Sequence, residues 1–124
     1  MNTDALLSFL RARLADDATL ATAANTGPWR TEDEPYEFLA DSFALSGRER
    51  RATSQHIVRH QPARVLAEVD AKLRLLSIHR RYTDEPGQAC LGCAGGIDWG
   101  SCPVARLLAL PYADHPHYRE EWRP

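Results

Sequence analysis

Lysine is nearly missing from this chain of 124 residues: Lys72 is the only one among 15 basic residues. With abundant alanine, that bias points to a GC-rich coding sequence and carries no functional meaning. Long apolar runs are missing too. Nothing approaches the ~18 consecutive apolar residues of a membrane-spanning helix. The stretch from Met1 to Phe9 is acidic-polar and then amphipathic, without the basic start and apolar run of a secretory signal, so a cytoplasmic location is expected. No glycine loop has a phosphate-cradling spacing. No nucleophile stands beside an evident base; Asp114-His115 and Glu120-Glu121 are pairs of a kind that usually faces water. Catalysis is therefore not the leading expectation.

Cysteine is scarce, and what there is lies close together. Cys90, Cys93 and Cys102 are the only three, and they fall within 13 residues. In a reducing compartment, clustered cysteines more often bind metal than form disulfides, and an odd count points the same way. The Cys90-Leu91-Gly92-Cys93 spacing lets both thiolates reach one ion, with Gly92 easing the bend. A third thiolate from Cys102 and one imidazole complete a tetrahedral Cys3His set, which suits Zn2+. His79 is the first choice for the imidazole, by closeness in sequence and by its place at the end of a helix. His115 or His117 could fold back instead, and His56 with His60, four apart, could form a pair of their own. An iron–sulfur cluster normally takes four cysteines. Three thiolates and an imidazole fill a tetrahedron, so the site reads as structural. A redox pair, Cys90 with Cys93, is the competing reading; glycines follow the motif where a thioredoxin-like site would need a helix.

Length suits one domain, 1–124, burying roughly two thirds of its unfolded surface. Leu6, Leu7, Leu10 and Leu14 recur at helical spacing over 3–25, continued by Leu20 and Ala24, with Thr3 or Asn2 as a cap. Asn25-Thr26-Gly27-Pro28 ends that helix. Alternation over Tyr36 to Ala40, with Phe43-Ala44-Leu45 as partner, predicts a small β-hairpin, with a short helix after Pro35 as the competing reading. An arginine-rich helix follows over 48–60, then a third helix from Pro62 to about Arg81 with Val65, Leu66, Val69, Leu73 and Leu76 as its stripe. Residues 82–101 read as a loop carrying the cysteine knuckle. Cys102-Pro103 opens a short helix over 104–110, and Trp122 is expected to anchor the tail. The expected class is therefore mainly α with a small hairpin, α+β, with three to four helices and a zinc-knuckle loop before the last.

Charge is uneven. Residues 48–81 carry nine basic against three acidic residues, whereas 1–47 carry three against eight and 82–124 three against six. A basic middle between acidic flanks could bind phosphate, or be neutralised by the flanks on folding. Nucleic-acid binding would use Arg48, Arg50, Arg51, Arg59 and Arg64. A protein partner is the leading expectation, through a small regulatory or adaptor module.

Over His56 to Leu66 (HIVRHQPARVL), Cys102 to Pro116 (CPVARLLALPYADHP) and Tyr118 to Pro124 (YREEWRP), the chain resembles an uncharacterised family of small proteins from actinobacteria and their phages, a domain of unknown function. The resemblance is firmest over 52–81 and 102–124. It implies a host range and a single-domain extent, and it brings no activity.

Overall fold

The computed structural model describes residues 3–24, 27, 29, 47–81, 89–93 and 97–124. Four α-helices occur among them: α1 (Thr3–Ala23), α2 (Gly47–Arg59), α3 (Pro62–Ile78) and α4 (Pro103–Ala109). Short 3-10 turns cover Trp99–Ser101, Leu110–Tyr112 and Glu120–Trp122. No described helix is long and apolar enough to cross a membrane.

The expected α+β class is corrected. The described residues contain no strand, only the isolated bridges Arg81–Cys90 and Ala89–Asp98, so the class is helical. Both bridges are antiparallel, and they bring the backbone beside the knuckle against Arg81 and Asp98. The segments expected to form the hairpin, 36–40 and 43–45, lie outside the described residues.

Contacts divide the chain into two compact units, Met1–Asp16 with Val69–Pro124, and Asp17–Glu68. In the first, Leu6, Phe9, Leu10 and Leu14 on one face of α1 are buried, as are Val69 and Leu76 on α3 and Ala105 and Ala109 on α4. These positions are three or four apart, or sums of such steps, which is the spacing that sets side chains on one helical face. Trp122 is 2% exposed and is the largest fully buried side chain. Its ring lies 5.2 Å from Phe9 and 5.7 Å from Tyr118, so the tail is anchored through α1 as its composition implied. The Thr3 hydroxyl is buried and makes no hydrogen bond in the structure, so Thr3 does not supply the expected cap.

In the second unit, the link between α2 and α3 follows from two residues. The Gln61 carbonyl accepts from the Arg64 and Val65 amides, at 3.0 and 3.1 Å, which starts α3. Pro62 occupies the next position, where its missing N–H costs nothing. The Gln61 side chain donates to the Val58 carbonyl and accepts from the Trp29 amide. Gly27 has φ of 69°, a left-handed conformation that a side chain would strain, and an added Cβ would sit 2.6 Å from the Trp29 ring. The expected stop after α1 is therefore built on that glycine.

Candidate metal centre

Three chain segments of the first unit converge on one point. The His79 amide donates to the Leu75 carbonyl at 3.0 Å, so α3's winding carries on just past Ile78 and places the imidazole at its exit. The knuckle closes through Cys93 N–H to the Cys90 carbonyl at 3.3 Å. Two further backbone bonds fix it: Cys90 N–H to Ile97 and Leu91 N–H to Arg80, both 2.9 Å. Cys102 is the residue before α4, with Pro103 at the helix's first position. Its amide donates to the Trp99 carbonyl at 3.1 Å, which holds the 3-10 turn against the helix start.

The donor atoms meet closely. His79 Nδ1 lies 3.5 Å from Cys90 Sγ, 3.5 Å from Cys93 Sγ and 3.4 Å from Cys102 Sγ. Cys93 Sγ and Cys102 Sγ are 3.6 Å apart. All four donor atoms lie within 4.8 Å of one another. Zinc bonds of ~2.3 Å to sulfur and ~2.0 Å to nitrogen at tetrahedral angles require N–S edges of about 3.5 Å and S–S edges of about 3.8 Å. The three N–S edges and the Cys93–Cys102 edge fall within about 0.2 Å of those values, and the two edges from Cys90 Sγ to the other sulfurs are bounded at 4.8 Å, so the donor set suits one tetrahedral ion by ligand type and along these four edges. The residues could hold a metal ion.

The thiols are crowded and partly withdrawn from water. All three cysteines are free thiols, with Cys90 and Cys102 buried. Burial, then hydrogen bonds to Cys102 and Cys90, pushes the Cys93 thiol up to about 12. Crowded thiols without a cation hold their protons; a bound dication reverses that balance and displaces them.

Gly92 is the one position in the knuckle where size decides the geometry. An added Cβ would lie 2.8 Å from Ile78 Cγ2, 3.0 Å from His79 Nδ1 and 3.0 Å from the Ile78 carbonyl. The knuckle therefore lies flat against the imidazole only because this residue has no side chain. Two supporting residues, Asp98 and Trp99, were not singled out from sequence. Asp98 caps the 3-10 turn by accepting from the Gly100 amide at 3.0 Å; the Asp-x-Gly pattern was the available signal. Arg81 stacks over the Trp99 ring at 4.7 Å and approaches Asp4 at 3.5 Å, a pairing across the chain that no local pattern announces.

The other candidates lie elsewhere. Arg48, Arg50, Arg51 and Arg59 are exposed on α2. Arg64 is exposed on α3, where it pairs with Glu68 at 3.0 Å. His56 and His60 face each other at the end of α2, with ring centroids 4.5 Å apart. His115 is taken by the tail: Arg13 Nη1 lies 2.7 Å from its Nε2, and the His117 amide donates to its Nδ1 at 3.1 Å. Of the five histidines, His79 is the one grouped with the cysteines.

A family model matches residues 3–124, nearly the whole chain. The chain belongs to DUF6221, a family of unknown function. Neither a curated protein nor a solved structure matches it. Membership supports the family resemblance of the sequence and its extent, and it leaves the role of the donor set to be argued from geometry.

Proposed function

We propose that this DUF6221 protein is a small zinc protein in which His79, Cys90, Cys93 and Cys102 hold one structural ion, and that it works as a protein-interaction or regulatory module. The observation that carries the reading is the set of N–S edges of 3.4 to 3.5 Å around one imidazole nitrogen. Four protein donors fill a tetrahedron and leave no open position for substrate or water, which favours a structural ion over a catalytic one. The ion ties the exit of α3 to the knuckle and to the start of α4. Thiolates in the set favour zinc over the harder cations.

The interaction role is supported by what the clasp displays. Leu91 in the knuckle, Ile97 beside it and Leu107 on α4 are 47%, 41% and 53% exposed. These large apolar side chains sit on the segments that the ion would fix, and a protein partner of complementary apolar surface suits them.

The test joins elemental analysis to partner capture. Purified protein is expected to carry one zinc per chain, and cobalt substitution to give thiolate-to-metal charge-transfer absorption. Partners bound by the zinc-loaded protein are expected to be lost after chelation. Protein without stoichiometric metal, or unchanged capture after chelation, overturns the reading.

A further inference from the structure

The five histidines of the chain fall into three settings, and one pair is neither grouped with the cysteines nor occupied by the tail. His56 and His60 are both exposed, four residues apart, at the C-terminal end of α2. The His60 amide donates to the His56 carbonyl at 3.1 Å, so the helical turn joining them is closed. Their ring centroids lie 4.5 Å apart with the planes tilted by 46°. A closed helical turn with imidazoles at i and i+4 presents two nitrogen donors on one side of the helix.

From this geometry we propose a second metal site, in which His56 and His60 bind one borderline divalent transition ion, of the Ni2+ or Cu2+ class, as a bidentate pair with water completing the shell. Two cis donors on such an ion at ~2.0 Å are about 2.9 Å apart, and rotation about the side-chain torsions of two exposed, facing imidazoles brings one nitrogen of each to that separation. Imidazole nitrogens without thiolates suit nickel and copper, whereas the Cys3His set suits zinc, so the two sites sort ions by ligand type.

The surroundings support a cation in spite of the neighbouring arginines. The pair occupies the last turn of α2, where the carbonyl end of the helix dipole favours positive charge. His60 also lines a cleft of about 370 Å³ shared with the carboxylate of Asp17, in the same unit. Arg64 is met by Glu68 at 3.0 Å, which spends part of its charge locally. Arg59, next to His60, is the cation that opposes binding.

The contrast with the other histidine pair sharpens the assignment. His115 and His117 have centroids 5.2 Å apart. There, Arg13 and the His117 amide already stand against both ring nitrogens of His115, so that ring has no free donor for an ion. A bidentate site is thus assigned to His56 and His60 and denied to His115 and His117.

The experiment uses the full chain, loaded with zinc and dialysed against tens of micromolar Ni2+, with zinc and nickel counted separately by elemental analysis. One nickel per chain is expected for the unaltered protein. His56→Asn and His60→Asn are each expected to lose it, with zinc content and far-ultraviolet circular dichroism unchanged. His117→Asn is expected to keep it. No nickel on the unaltered protein, nickel retained by both His56→Asn and His60→Asn, or nickel lost with His117→Asn would each overturn the assignment. Because the two metals are counted apart, failure at the cysteines and failure at the histidines give different results.

Discussion

The segments on either side of α4 are ordered by opposite means. Upstream, among the described residues of 89–102, the buried side chains are the two thiols of Cys90 and Cys102, while the large apolar residues Leu91 and Ile97 are exposed. Downstream, over 110–124, order comes from rings: Trp122, Tyr118 and His115 all lie within 6 Å of the Phe9 ring, centroid to centroid. A segment without apolar anchors needs some other free energy to order its backbone, and a metal ion on the proposed ligand set would supply it. A segment with a buried tryptophan does not. The two solutions sit on one short helix, so each can be removed while the other is watched.

The largest effect is expected from Cys102→Ser. Structural zinc sites bind with apparent free energies of about 10–16 kcal/mol at neutral pH, so losing a ligand is expected to cost more than about 4 kcal/mol. Metal content should fall from one per chain to zero. Amide exchange should rise over 89–102 well before it rises over 110–124. Equal loss of protection on both sides of α4 would erase the distinction between them.

Trp122→Ala is the reciprocal experiment, with a somewhat smaller effect. Truncating a fully buried tryptophan typically costs about 3–5 kcal/mol, through lost burial and the cavity left behind. Exchange should rise first over 110–124, and metal content should stay at one per chain in protein that remains folded. Loss of the metal together with the tail would mean that the two sides share one cooperative unit.

The same contrast explains how much was legible in the sequence. The donor set was legible because its parts are local: a two-residue gap between thiols, a glycine, and a cysteine directly before Pro103. Helix positions were also legible, since periodicity and breakers are local signals. Periodicity states which residues share a face; it does not state that a partner covers them. Leu20 belongs to the α1 stripe by spacing and is 74% exposed, and Leu66 and Leu73 of the α3 stripe are also exposed. The ring cluster was legible only as a single anchor, Trp122. Its partner Phe9 lies more than a hundred residues away, and no local pattern encodes such a pairing. The class differs from the expected α+β because the described backbone pairs only at isolated bridges and contains no strand.

The smallest expected effect is a pH dependence confined to the downstream side. The His115 pKa is lowered from the usual histidine value, first by burial, then by Arg13 and His117, with Asp16 and Asp114 opposing. The geometry gives the reason. Arg13 Nη1 stands 3.1 and 2.7 Å from the two ring nitrogens, so a proton added to the ring would face a guanidinium. The unfolded chain takes up the proton near pH 6.5, and the folded chain only at lower pH. As pH falls below that value the unfolded state binds more protons, so the stability that neutral His115 contributes is present at pH 7 and lost on acidification. Replacing His115 by glutamine should therefore flatten the decline in melting temperature between pH 7 and pH 5.5. Acid also protonates thiolates and can strip the upstream metal, so the comparison is made on samples whose zinc content has been measured at each pH. An undiminished decline in His115→Gln protein that keeps its zinc would show that the downstream side does not sense pH through this ring.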